Sequence, residues 1–324
     1  GAEVVSGGEL LRALAAGFAP GRIVFSGVGK TADEMVLALR RGILAFNVES
    51  AAELEALEAV ALRLGRTAPV SVRLNPDVSA HTHPHVTTGR AYNKFGVEDD
   101  AAVAMFCRAR LRRGLKVMGI QCHIGSQIME LGPFRKAASA VARVLRRLDG
   151  EGIRLKLIDM GGGLGISYRG EPELDCRTLA RAFERAFAPW PEARFLIEPG
   201  RYLVADCGML LTRVLYLKET SRRRFVVVDA GMNDLARPAL YDAYHPVVPA
   251  VLRPGAKRRV DIVGPVCESG DFMARQRGLP PVLPGDILAV LKAGAYGFTM
   301  SSQYNSRLRP AEVLVSGGRA RLVR

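Results

Sequence analysis

A cysteine and a glutamate stand side by side in Gly264-Pro265-Val266-Cys267-Glu268-Ser269-Gly270-Asp271. A thiol with a pKa near ~8.5 can donate a proton at neutral pH, and the neighbouring carboxylate can receive a cation. In Asp159-Met160-Gly161-Gly162-Gly163, the consecutive glycines leave backbone N–H groups uncovered. Such a run suits a phosphate, although a tight turn explains it equally well. Glu198-Pro199-Gly200-Arg201 pairs an acid with a planar guanidinium that fits a carboxylate. A surface ion pair is the alternative.

Four further groups extend this set. His123 is followed by Gly125 and Ser126, a backbone donor and a hydroxyl. Arg237 has Tyr241 four residues on, a pair that could grip a carboxylate or merely form an Arg-Pro turn. Tyr296 stands between Gly294 and Gly297, at a turn that could equally hold a packed aromatic. His81, His83 and His85 alternate, and three such imidazoles could ligate zinc or iron in a metal-dependent barrel hydrolase.

The elements that must position these residues come in two styles. Strand candidates at Ala2–Ser6, Arg22–Ser26, Ile43–Asn47, Val70–Leu74, Gly119–His123, Leu157–Met160 and Arg194–Ile197 alternate with helical periodicity. Ser50 and Glu53 predict a capping box at one helix start. The alternation implies parallel pairing with right-handed crossovers. Polar and glycine residues follow the strand ends, where a (β/α)8 barrel carries its chemistry. Seven candidates fall one short of that barrel, so its first strand is expected to be missing from this sequence.

Beyond Val204 the runs Met209–Leu217, Phe225–Asp229, Val260–Val263, Asp286–Leu291 and Ala311–Val315 are strand-like and divided by turns such as Pro280-Pro281. The predicted organisation is therefore a barrel domain over residues 1–204 and a mostly antiparallel β domain over 205–324.

Composition limits the function classes. Across 324 residues the hydrophobic share is 48% and the charged share 24%, as in ordinary globular proteins. No run approaches the ~18 apolar residues of a membrane span. The net charge of +14 invites a nucleic-acid reading. However, pairs such as Arg40-Arg41, Arg112-Arg113 and Arg146-Arg147 are scattered along helices without interleaved aromatics, so nucleic acid is not an expected partner. The five cysteines are odd in number and far apart, which points to free thiols in a reducing cytoplasm.

Taken together, Cys122-His123-Ile124-Gly125-Ser126-Gln127, the Asp159 glycine run, Glu198-Pro199-Gly200-Arg201 and the Cys267-Glu268 phrase resemble the diaminopimelate decarboxylases. These are fold-type III enzymes of pyridoxal 5′-phosphate (PLP), related to alanine racemase. The resemblance covers nearly the whole chain, and Gly89 with Asn93-Lys94-Phe95-Gly96-Val97 matches a loop that has no metal role, so no metal is expected.

The resemblance implies a PLP-binding barrel of the alanine racemase type and a carboxy-lyase of lysine biosynthesis that turns meso-2,6-diaminopimelate into L-lysine and CO2. It assigns Gly161, Gly162, Gly163, Ser126 and Gly200 to the cofactor phosphate and its surroundings, His123 to stacking on the cofactor ring, and Glu198 to the ring nitrogen. It gives Arg201, Arg237, Tyr241 and Tyr296 to substrate, with Arg201 and Tyr296 also near the cofactor. Glu268 receives the distal ammonium, and Cys267 protonates the carbon that loses CO2. Cys267 and Glu268 reach the partner's site, which makes a homodimer the active unit.

The lysine that carries PLP covalently in this family lies upstream of the segment aligned with Gly1–Leu10, and neither Lys30 nor Lys94 matches it. The chain as given is therefore expected to be inactive, either as an N-terminal truncation or as a non-catalytic PLP-binding partner of a complete chain. A related basic amino-acid decarboxylase is the neighbouring alternative.

Overall fold

The computed structural model describes residues 1–79 and 93–324. The His81, His83 and His85 cluster and Gly89 lie outside the described residues. The chain forms two units, one of residues 1–165 with 173–199, the other of residues 166–172 with 200–324. The chain thus changes unit after Pro199, a few residues before Val204, and lends a short earlier segment to the second unit.

The first unit alternates strands and helices in this order: β1 Ala2–Val4, α1 Gly7–Ala15, β2 Ile23–Phe25, α2 Ala32–Arg41, β3 Ala45–Val48, α3 Ala51–Arg63, β4 Ala68–Leu74, α4 Asp99–Ala109, β5 Leu115–Cys122, α5 Leu131–Gly150, β6 Leu157–Asp159, α6 Cys176–Phe187 and β7 Arg194–Leu196. The seven strands form one sheet in sequential order. Every pairing in it is parallel. All strands therefore end on the same rim, which collects the residues that follow them.

Local sequence explains the helix starts. Ser6 accepts the Glu9 amide at the head of α1, and Thr31 forms a reciprocal capping box with Glu34 at the head of α2. Ser50 also caps α3 by accepting the Glu53 amide at 3.1 Å. The box predicted there is not formed. The Glu53 carboxylate instead accepts the Glu49 amide at 2.8 Å and the Lys30 ammonium at 2.6 Å. The full charge of a buried lysine holds it more strongly than the Ser50 amide would.

Phe25, Phe46, Leu54, Leu57 and Phe106 are among the fully buried side chains of this unit. The strands also bury Asn47, Arg73, Gln121 and Asp159, and Ser26 just past the end of β2 is buried too. Burying so many polar groups requires partners for them.

The second unit opens with α7 Gly200–Val204 and contains β8 Leu210–Glu219, β9 Arg224–Val228, α8 Arg237–Tyr241, β10 Val247–Pro249, β11 Arg258–Val263, β12 Phe272–Leu279 and β13 Ile287–Val290, then the hairpin of β14 Val313–Ser316 and β15 Arg319–Leu322. Its main sheet runs β10-β13-β8-β9-β11-β12. The pairings are antiparallel except β9 with β11. Val214, Val226, Val228, Ile262, Met273, Leu288 and Val290 form its core. Among the described residues no helix is long and apolar enough to cross a membrane.

Candidate active site

Three strand ends of the first unit meet. After β5 come His123, Gly125 and Ser126; after β6 comes the glycine run; after β7 comes Glu198. The Glu198 amide donates to the Gly161 carbonyl at 2.8 Å, and the Gly162 amide donates to His123 Nδ1 at 3.1 Å. A Cβ on Gly162 would lie 2.1 Å from the Glu198 carbonyl oxygen, so only glycine lets these strand ends close together. Gly163 has φ +100°, and a Cβ there would lie 2.3 Å from the Gly125 carbonyl oxygen. That contact packs the Gly125-Ser126 turn against the glycines. The turn is pinned further by the Ile128 amide donating to the Gly163 carbonyl at 2.8 Å.

Because Nδ1 of His123 accepts a proton donor, its ring proton sits on Nε2. Burial, with the charge of Arg73 added, pushes its pKa down to about 3, so the imidazole is neutral. The same burial pushes the Cys122 thiol up to about 12 and leaves it inert.

Glu198 is the acid of this rim. Its Oε2 accepts from Gln121 Nε2 at 3.4 Å, whereas its buried Oε1 has no donor among the described residues. Burial raises its pKa well above the ordinary carboxyl range, and the charges of Asp159 and Glu3 raise it further. Lys30, which follows β2, is fully engaged. Its ammonium donates to the carbonyls of Gly27 and Asn47 at 2.8 and 2.7 Å as well as to Glu53.

In the second unit Arg201 is the second residue of α7 and Arg237 begins α8. Both are buried, at 8% and 7% exposure, so the exposed-turn reading of Arg237 is wrong. Each donates to the Tyr168 hydroxyl, at 3.0 and 3.1 Å. Arg237 also donates to His245 Nε2 at 2.8 Å, while His245 Nδ1 donates to the Leu291 carbonyl at 2.9 Å. No carboxylate of the described residues lies within ion-pair distance of Arg237. Two buried guanidiniums thus converge on one phenol.

Tyr296 lies under the Arg201 guanidinium, 4.9 Å from ring centroid to Cζ, with φ +59°. Its strained backbone is held by the close approach of Gly294, where a Cβ would lie 2.0 Å from the Val204 carbonyl oxygen. Tyr241 ends α8 half-buried. A Cβ on Gly200 would touch nothing within 4 Å, so sterics do not demand a glycine there.

Cys267 and Glu268 are exposed, and Glu268 accepts the Tyr304 hydroxyl at 2.9 Å. All five cysteines are free. Sequence reasoning missed Tyr168, His245 and Gln121. The signal for Gln121 was a polar residue inside an otherwise apolar strand; Tyr168 and His245 carried none.

Known proteins resemble this chain along its whole length. Residues 1–205 match the family model described as pyridoxal-dependent decarboxylase, pyridoxal binding domain. The diaminopimelate decarboxylase of Pseudomonas aeruginosa is 51% identical over 327 aligned residues, covering 100% of this chain and 78% of that protein. The crystal structure of the Helicobacter pylori diaminopimelate decarboxylase complexed with L-lysine superposes with a TM-score of 0.96 at 44% identity, covering 100% of this chain and 81% of that one. The M. jannaschii enzyme in co-complex with L-lysine gives 0.94 at 40% identity, covering 100% and 76%. The fold is the PLP-binding barrel followed by a β domain, and the chain belongs to the diaminopimelate decarboxylase family.

Proposed function

We propose that the protein decarboxylates meso-2,6-diaminopimelate to L-lysine and CO2 with PLP, in the cytoplasm, as the closing reaction of lysine biosynthesis. The observation that carries this reading is the pair of buried guanidiniums, Arg201 and Arg237, gathered on Tyr168. A substrate with one amino-acid end to react and another to be held needs a carboxylate receptor. A simple diamine precursor does not.

The first unit fits PLP. The glycine cradle that a Cβ on Gly162 or Gly163 would fill, together with Ser126 beside it, suits a phosphate. The neutral imidazole of His123 can stack on an aromatic ring without opposing a positive charge. The Glu198 carboxyl, with a buried oxygen lacking a donor, suits a ring nitrogen. Bound there, PLP supplies an electron-withdrawing ring that accepts the electron pair released with CO2.

The remaining roles belong to the chain's own residues. Arg201 and Arg237 hold the distal carboxylate, with Tyr241 and Tyr296 closing around the substrate. Glu268 receives the distal ammonium. The Cys267 thiol gives its proton to the carbon that has lost CO2 and is reprotonated from water. Gly200 is assigned to the surroundings of the phosphate. We assign residues 1–204 to cofactor binding and 205–324 to the β domain. Lys30 is spent on its own acceptors, so no lysine of this chain is assigned to hold PLP covalently.

The exposure of Cys267 and Glu268 supports their serving the second subunit of a homodimer, and the free cysteines support a reducing compartment. Product analysis tests the reading. In a form of the protein that also supplies a PLP-anchoring lysine, lysine and CO2 in equal amounts from meso-diaminopimelate are expected. Cadaverine from lysine, with diaminopimelate untouched, would overturn it.

A further inference from the structure

Glu198 does not stand alone. Asp159, the last residue of β6, is buried beside it: Gln121 is the register partner of Asp159 on β5, and the Gln121 amide donates to Glu198. Asp159 Oδ1 is fixed by the Gly161 amide at 2.9 Å, and Glu198 Oε2 by Gln121. The other two oxygens, Asp159 Oδ2 and Glu198 Oε1, are buried with no N–H or O–H donor among the described residues. Two bare charges so close in a buried site repel strongly, and a proton held between the two donorless oxygens satisfies both.

The surrounding charges do not remove the need for that proton. Glu3 on β1 adds a third carboxyl, itself shifted upward by burial. Arg73 on β4 is the cation that acts on this group, and it is already paired with Glu49 at 3.0 Å. Cys122 and His123, at the end of β5, are neutral.

We propose that Asp159 is a positioning residue that shares a single proton with Glu198, and that the pair surrenders this proton when a pyridine ring nitrogen docks on Glu198. The inference rests on the PLP reading above and extends it to the source of the ring's proton. The balance is simple. Before docking the pair carries one proton and one negative charge. After docking the ring nitrogen is protonated and both carboxylates are bare, offset by the pyridinium. If the ring arrives unprotonated, the proton moves from Glu198 to nitrogen. If it arrives protonated, the pair's proton leaves to water. Asp159→Asn removes one negative charge and offers Glu198 an amide donor, so Glu198 is already ionised before docking. At a given pH the wild type then differs from Asp159→Asn by about one proton per ring bound, whichever form the ring arrives in.

The probe is pyridoxine 5′-phosphate, which has the ring and phosphate but no aldehyde, so its binding needs no lysine. Titration calorimetry at pH 8 in buffers of different ionisation enthalpy counts the protons. The expected result is about one more proton released, or one fewer taken up, by the wild type than by Asp159→Asn. Equal counts overturn the proposal. Should Asp159→Asn fail to fold, the wild type alone answers by infrared difference spectroscopy. A protonated-carboxyl band lost on binding supports the shared proton, and no such loss overturns it. Absence of any binding by the wild type overturns the PLP reading itself, and this inference with it.

Discussion

Arg237 Nη1 lies 2.8 Å from His245 Nε2, a cation donating to an imidazole that must therefore be neutral. Burial, opposed only by the hydrogen bond to Leu291, brings the His245 pKa down from 6.5 to about 4. The sign of the linkage follows. Between those values the unfolded chain binds a proton that the folded one refuses, so stability is full above pH 6.5 and is lost as pH falls toward about 4. His123 acts in the same direction, from 6.5 down to about 3. Set against the opposite slope of the raised carboxyls Glu198 and Asp159, each such histidine should contribute, in chemical denaturation, a loss on the order of 2 kcal/mol between pH 7 and 5. His245→Gln should flatten that slope, and an unchanged slope would show that His245 is charged in the fold.

Removing the substrate's expected anchor should cost binding. Arg237→Gln leaves a polar side chain but no charge. A lost charge-assisted hydrogen bond is worth about 1.5–3 kcal/mol, so kcat/KM for diaminopimelate should fall roughly 10- to 100-fold. Steady-state CO2 release, in a form of the protein that also supplies a PLP-anchoring lysine, measures it, and an unaltered kcat/KM would remove Arg237 from the site.

The glycine cradle makes a steric prediction. In Gly162→Ala the new methyl would sit 2.1 Å from the Glu198 carbonyl oxygen, so strand ends β6 and β7 must separate. Overpacking of this kind costs about 1–3 kcal/mol, and it displaces the Glu198 side chain. Melting and pyridoxine 5′-phosphate affinity should both drop. A variant as stable and as tight-binding as the wild type would show that the rim is not closed there.

Lys30 and Glu53 form a buried ion pair at 2.6 Å, with side chains 1% and 9% exposed. Lys30→Met strands a buried carboxylate and should lose about 3–5 kcal/mol in urea unfolding. The double variant Lys30→Met with Glu53→Leu should recover most of that loss. No recovery would mean that Lys30 stabilises the rim through Gly27 and Asn47 rather than through charge.

The parallel sheet was legible because its strands are short apolar runs that end in glycine or polar residues, and β1 to β7 all fall on candidate segments. β12 was missed. Arg275 and Arg277 interrupt its apolar pattern, and Gln276 sits at φ +52° in an irregular register against β11. Arg277 looks like a surface charge in sequence but stacks on Tyr244, with Cζ 3.3 Å from the ring centroid. The capping box at Ser50 failed because a lysine 23 residues from Glu53 claims its carboxylate. Tyr168 escaped notice for the same reason, since it meets Arg201 and Arg237 from 33 and 69 residues away. Motif spacing records local chemistry, whereas these partners are chosen by the fold.

The division of labour between ring and substrate has a direct test in pyridoxine 5′-phosphate affinity, measured by fluorescence for the wild type, Glu198→Ala and Arg237→Gln. The predicted result is at least a roughly tenfold loss in Glu198→Ala, where a charge-assisted hydrogen bond is removed, and little change in Arg237→Gln. Equal affinity in wild type and Glu198→Ala would contradict the placing of the cofactor ring on Glu198.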